Sequence, residues 1–288
     1  MDSVLVLIAA PGSGAISANV IEMLRDFGGG QPRWLAEAEA LEVPDFEARA
    51  GFVEALSVLP LDVNLVPVEN RRKRLLIADM DSTMIEQECI DELGVMAGIG
   101  EPIKAITARA MRGELDFEGA LKERVKLLKD LDVRVIDTIL RERISYMPGG
   151  QTLIATMKAG GAHTALVSGG FTPFTARVAA DLGFDENQAN ELIVVDGVLT
   201  GEVGHPILGQ QAKLDALRRI ASRLGIATAD ALAVGDGAND LAMLREAGMG
   251  VALHAKPQVQ AEARFRVNHG DLTALLYLQG YAKAEFAG

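Results

Sequence analysis

The sequence predicts an α/β protein: a parallel sheet covered by helices on both faces, a small helical cap inserted into it, and a separate α+β unit in front. Three observations carry this. Four short, fully apolar runs (Leu75–Ala78, Ala165–Val167, Ala231–Val234 and Gly250–Leu253) alternate with helical patterns, for example Lys213 to Leu224 and Asp240 to Ala247. Strands apolar on both sides need cover on both sides, which is the condition of a parallel sheet. Between the first and second runs lies a long insert, about residues 88–145, rich in helix formers and charge. Before residue 71 the pattern is different and the charge is concentrated: three arginines stand against eleven carboxylates in residues 1–70.

The front unit reads in order as follows. Val4–Ala10 is apolar and β-branched, ends at Pro11-Gly12, and is expected to be a buried strand. Ile16 to Phe27 places Ile16, Val20, Met23 and Leu24 on one helical face and stops at Gly28-Gly29-Gly30. Trp34 to Val43 is a candidate strand, Phe46 to Val58 a second helix, and Val63 to Val68 a closing strand. In element order this unit of about 70 residues resembles the ligand-binding modules of the ACT type. Gly12-Ser13-Gly14 lacks the third glycine of a dinucleotide fingerprint and the lysine of a P-loop, so it is read as a turn.

Composition excludes several classes of function. The net charge is −12, from 28 basic and 40 acidic side chains. The short run Arg71-Arg72-Lys73-Arg74 is read as a solvated connector, so no nucleic-acid partner is expected. No apolar stretch is long enough for a membrane span. The first apolar patch follows Asp2 with no basic residue before it, unlike a signal peptide. Cys89 is the single cysteine, which fits a reducing compartment, and a cytoplasmic location is expected. The oligomeric state stays open, a homodimer being one option.

Ligands of open parallel sheets bind beyond the carboxyl ends of the strands, so the residues after each apolar run matter most. Asp79-Met80-Asp81-Ser82-Thr83 follows the first run, with two carboxylates two residues apart. Ser168-Gly169-Gly170-Phe171 follows the second and offers a hydroxyl and bare backbone N–H groups, a nest suited to phosphate. Gly235-Asp236-Gly237-Ala238-Asn239-Asp240 follows the third, a second acidic pair framed by glycines. Lys213 is expected to begin a helix after Gly209-Gln210-Gln211. Each cluster alone is compatible with an ordinary loop or helix start. Together they complement one another: Asp79, Asp81 and Asp236 supply the hard oxygen ligands magnesium prefers, while Ser168, Lys213 and the glycine N–H groups supply what a phosphate requires.

These four segments, in this order, resemble the motifs of the haloacid dehalogenase (HAD) superfamily, whose core is a Rossmann-like parallel sheet. The similarity covers about residues 75–280. It extends into the cap through Glu88-Cys89-Ile90-Asp91-Glu92-Leu93 and Leu121-Lys122-Glu123-Arg124-Val125-Lys126-Leu127-Leu128, segments that resemble the branch acting on phosphoserine. The resemblance implies that Asp79 is the nucleophile and that Asp81 is the acid and then the base. It implies a Mg2+ held by Asp79, the Asp81 carbonyl and Asp236, with Asp240 in support. Ser168, Gly169, Lys213 and Asn239 would hold the phosphoryl group, and Glu88 and Arg124 the ammonium and carboxylate of the amino acid. The small-molecule ester is the expected partner. Two alternatives remain at this stage: another phosphatase or a phosphoryl transferase on the same core, and a non-catalytic amino-acid sensor. His163, His205, His254 and His269 are too widely spaced for a metal-ligand pattern, Cys89 has no role in this chemistry, and Lys256 could orient the site.

Overall fold

The computed structural model describes residues 2–46, 51–112 and 114–288. Its first strand is buried on both sides, and the alternation of its side chains explains how. In β1 (Ser3–Ala9), Leu5, Leu7 and Ala9 pack with α1 (Ala18–Phe27). Val4, Val6 and Ile8 turn the other way, into the core of the remaining chain. Successive strand residues point to opposite faces, so a strand apolar at every position must be covered twice. The expected strand at Trp34–Val43 is two short ones, β2 (Arg33–Ala36) and β3 (Ala40–Val43), joined by a turn in which Ala38 has φ 57°. Of the helix expected over 46–58, α2 (Phe52–Ser57) is seen, and residues 47–50 lie outside the described residues. With β4 (Leu61–Pro67) these strands form an antiparallel sheet in the order β2-β3-β1-β4.

The second sheet begins at β5 (Leu75–Ala78). The insert that follows is helical, as expected: α3 (Cys89–Met96), α4 (Gly100–Met111), α5 (Phe117–Lys126) and α6 (Val135–Glu142). Asp116 starts α5 as a side-chain cap, accepting from Gly119 N at 2.7 Å. The chain then runs through α7 (Gly150–Ala159), β6 (His163–Phe171), α8 (Thr172–Leu182) and β7 (Glu186–Asn190). A two-stranded hairpin, β8 (Leu192–Val195) and β9 (Val198–Val203), follows and lies against α5. The rest is α9 (Gln210–Leu224), β10 (Ala231–Gly235), α10 (Leu241–Glu246), β11 (Met249–Leu253), α11 (Pro257–Glu262), β12 (Phe265–Val267) and α12 (Ala274–Leu278).

The sheet order is β12-β11-β10-β5-β6-β7, with every pair parallel. Leu75 and Ile77 of β5 join Ala231 and Ala233 of β10 under α9 and α10. Leu76, Ala78, Leu232 and Val234 face the other layer, with Leu153 of α7 and Phe174 of α8. The parallel sheet is therefore the α/β core the sequence predicts, and its carboxyl edge lies below the helical insert.

The two sheets are joined by polar as well as apolar contacts. The Asn64 amide donates to Arg266 O and accepts from Arg266 N, both at 2.9 Å, so one side chain substitutes for a strand partner of β12. Asp62 accepts from the backbone N–H groups of Asn268, His269 and Gly270 at 2.6–3.2 Å. Tyr277, fully buried, donates to Glu39 at 2.8 Å. Among the described residues no helix is long and apolar enough to cross a membrane.

Candidate active site

The strand tips deliver the acidic groups. Asp79 follows β5 and donates its backbone N–H to Val234 O (3.0 Å), which fixes it beside the tip of β10. Its side chain is 6% exposed, with one oxygen accepting from Met80 N at 2.7 Å and the other 2.6 Å from Lys213 Nζ. Asp236 and Asp240 come from the turn after β10. Carboxylate oxygens of Asp79, Asp236 and Asp240 lie within 4.8 Å of one another, and all three residues are buried. The close approach requires glycine at 235, where a Cβ would collide with the Asp240 carboxyl.

Lys213 is 2% exposed and bridges this cluster, 2.6 Å from both Asp79 Oδ2 and Asp240 Oδ1. It lies in the first turn of α9, which starts at Gln210, three residues earlier than expected. Burial disfavours its charge, but the Asp240 and Asp79 carboxylates outweigh burial and hold it above the usual lysine range. Asp240 also accepts from Gly237 N at 3.0 Å. Burial and then the Asp79 charge push its carboxyl up to about 7, against the pull of Lys213. Asp236 is raised for the same two reasons, with Lys256 and Lys213 opposing. Three carboxylates thus share two nearby ammonium groups, a surplus of buried negative charge that fits a hard divalent cation. Asp240, expected only in support, belongs to this cluster.

Asp81 stands apart from the carboxylate cluster. Its side chain accepts from Cys89 N, at the start of α3, at 3.1 Å. A Cβ on Gly170 would lie 2.7 Å from Asp81 Oδ2 and 3.1 Å from Ser168 Oγ, so bare backbone lets the Asp81 carboxyl, in the turn after β5, meet the tip of β6. Burial, then the Glu88 and Asp79 charges, push the Asp81 carboxyl up to about 8. That group holds its proton at neutral pH.

The Ser168 segment differs from the expected loop. Residues 168–171 continue β6, with a register irregularity against β7 between Val167 and Phe171. Ser168 is 2% exposed, and its hydroxyl accepts from Gly170 N at 2.9 Å. The bulge, rather than a turn, turns the glycine backbone toward Asp81. Asn239 is half-buried on the turn between Asp236 and Asp240. Among the described residues no hydrogen bond joins it to the other candidates.

The cap contributes Glu88 and Arg124. Glu88 accepts from Ser82 Oγ at 2.9 Å. Lost solvation and then the Asp236 and Asp79 charges raise its carboxyl, with the Ser82 hydrogen bond and Lys256 opposing. Arg124 of α5 donates to Thr107 Oγ1 and Ala120 O at 3.3 Å. Burial lowers its guanidinium, and the Asp91, Glu88 and Asp81 charges counter that effect.

Two residues have no signal in the local sequence. Phe117, at the start of α5, lies against the glycines of two core segments: a Cβ at Gly169 or at Gly209 would come within 3.0 Å of its ring. Asn190, at the end of β7, is 1% exposed and binds both of those segments through its amide. Each meets the site only through folding, which no spacing rule anticipates.

Residues 76–245 match the profile of haloacid dehalogenase-like hydrolases. The chain is similar to the phosphoserine phosphatase of Haemophilus influenzae, 47% identical over 204 residues, which is 71% of this chain and 65% of that protein. The first four curated relatives are matched over 58–65% of their own length. Among solved structures, a HAD family hydrolase from Salmonella enterica serovar Typhi covers 96% of this chain and 98% of its own, at 32% identity and TM-score 0.85. A phosphoserine phosphatase solved as its phospho-aspartyl intermediate analogue covers 72% of this chain and 98% of its own, at 41% identity and TM-score 0.67.

Proposed function

The chain belongs to the haloacid dehalogenase-like hydrolases, and from that premise we propose that it hydrolyses O-phospho-L-serine to serine and phosphate through an aspartyl phosphate on Asp79. The observation that carries the reading is the division of labour between two carboxylates two residues apart. Asp79 lies between Lys213 Nζ and the Met80 N–H, while burial and neighbouring charge push the Asp81 carboxyl up to about 8. One is a nucleophile and the other an acid, set apart by environment.

In the first step an Asp79 oxygen bonds to phosphorus and the bond from phosphorus to the seryl oxygen breaks. Asp81 gives its proton to the departing oxygen. In the second step a water attacks phosphorus, Asp81 takes back a proton, and the aspartyl bond breaks to free phosphate. Lys213, Ser168, the Gly169 backbone and Asn239 hold the equatorial oxygens throughout, where charge must be stabilised in a loose transition state. Asp79, Asp236 and the Asp81 carbonyl would hold Mg2+, with Asp240 beside them. That ion would neutralise the repulsion between the carboxylate and the phosphate. Glu88 would bind the ammonium and Arg124 the carboxylate of the serine moiety, the charge pairing a zwitterion demands.

The substrate assignment draws on the relatives' names and on the opposite charges of Glu88 and Arg124. We assign residues 71–288 to the catalytic unit, with a cap at about 88–145, and residues 1–70 to a module that packs on it. A cytoplasmic setting fits the lone cysteine, whose thiol is buried and pushed up, chiefly by burial. The test is phosphate release from O-phospho-L-serine in magnesium, with and without chelator, beside Asp79→Asn. Release that needs both the metal and Asp79 supports the reading. Release from other small esters but not from phosphoserine contradicts the substrate, and release from none favours a sensor.

A further inference from the structure

Asn190 makes three hydrogen bonds with one buried amide. Its Nδ2 donates to Gly169 O at 2.8 Å and to Leu208 O at 3.2 Å, and its Oδ1 accepts from Leu208 N at 2.7 Å. Its own backbone oxygen accepts from Thr172 Oγ1 at 3.1 Å, which anchors it to the first turn of α8. A primary amide offers two donors and one carbonyl, and here all of them engage main chain.

The two segments it joins are those that carry the phosphate-holding groups. On one side, fixing the Gly169 carbonyl orients the peptide whose N–H, on Gly170, donates to Ser168 Oγ. On the other, Leu208 precedes Gly209, the residue that opens α9, and Gly209 O accepts from Ala212 N at 3.1 Å and Lys213 N at 3.4 Å. The first turn of α9, and with it Lys213, is therefore tied by hydrogen bonds to the tip of β6 through one side chain at the end of β7. The segments have no strand pairing with each other that could do this.

We propose that Asn190 is a positioning residue for phosphoryl transfer. It sets the separation between the Ser168–Gly169 backbone and Lys213, so that both meet one phosphoryl group. The proposal rests on the hydrolase reading above. Misplacing a positioning group by about an ångström lowers rates by about 100-fold, while the serine end of the substrate, held by the cap, is left as it was.

The test compares wild type, Asn190→Ala and Asn190→Asp in magnesium, each well below its melting transition. Asn190→Asp keeps shape and acceptor but loses both donors, so it carries the test if Asn190→Ala does not fold. The kcat on O-phospho-L-serine and on p-nitrophenyl phosphate is expected to fall about 10- to 100-fold in parallel. KM for phosphoserine stays within about threefold, and inhibition by inorganic phosphate weakens about tenfold. A residue that only holds the fold together would lower the melting temperature and leave kcat and phosphate inhibition of the folded enzyme unchanged, and that result overturns the proposal. If wild type cleaves neither ester, the hydrolase reading fails and the tether is judged separately, by the melting shift that inorganic phosphate with magnesium produces. A rise in wild type that is lost in Asn190→Asp upholds it. An equal rise in both, or none in either, overturns it.

Discussion

Lys213 Nζ lies 2.6 Å from Asp79 Oδ2, and both side chains are almost completely removed from solvent. Removing one partner of a buried pair leaves the other charge uncompensated, which costs about 3–5 kcal/mol. Lys213→Met should therefore destabilise the protein by about that amount in urea unfolding and lower kcat by at least about 1,000-fold. Lys213→Arg should rescue neither, because a planar fork cannot place one donor between Asp79 and Asp240.

Asp81 predicts a pH dependence of stability in the metal-free protein. Its folded value of about 8 lies above the unfolded 3.8, so between these the folded state binds more protons. Stability from this group is full below about pH 4 and is lost as pH rises toward 8. Asp81→Asn removes the loss. Thermal melts should show the variant more stable than wild type at pH 8 by about 1–3 kcal/mol, below the full linkage value because the carboxyl keeps some solvent access. The gap should close toward pH 4. A gap that stays constant with pH would place the carboxyl's proton elsewhere.

Gly170→Ala tests the meeting of β5 and β6. The added Cβ would stand 2.7 Å from Asp81 Oδ2 and 3.1 Å from Ser168 Oγ. The expected result is a fall in kcat of about 100-fold, with a melting temperature within a few degrees of wild type. A substitution without effect on kcat would mean that Asp81 does not work at this position.

Arg124→Ala tests the cap. Its guanidinium is influenced by the Glu88 and Asp81 charges and, among the described residues, makes two long hydrogen bonds, which leaves donors for a substrate. Turnover of phosphoserine should fall by about 100-fold in kcat/KM, and that of p-nitrophenyl phosphate by less than about fivefold. Equal losses on both esters would count against a carboxylate-binding role.

Burial decides which elements the sequence makes legible. Leu75–Ala78 and Ala231–Val234 were readable because strands covered on both faces are apolar at every position. β7 was not, since Glu186–Asn190 is wholly polar outside Ala189 and lies at the sheet edge. The β8–β9 hairpin mixes exposed Val194 and Val195 with buried Leu192, Leu199 and Val203, so its apolar run does not show which side is covered. Asp79, Asp81 and Asp236 are legible because each lies in a motif directly after an apolar strand, whereas Lys213, in the first turn of α9, is legible only through the order of motifs that resembles the family. Asn190 and Phe117 were not, because they act on backbone that arrives from distant segments. The two glycines at Ser168–Gly170 give a turn signal that the sheet overrides, so the segment continues β6 with a bulge.

The central claim is that phosphorus becomes bonded to Asp79, and the most direct measurement is to look for that bond. The enzyme is mixed with O-phospho-L-serine and magnesium, quenched in acid within a turnover, digested, and the peptide containing Asp79 is weighed by mass spectrometry. The account predicts a phosphoryl group on Asp79 itself, absent from Asp79→Asn and lost on neutralisation. Rapid phosphate release with Asp79 unmodified at every quench time, or a phosphoryl group found on another side chain, would contradict it.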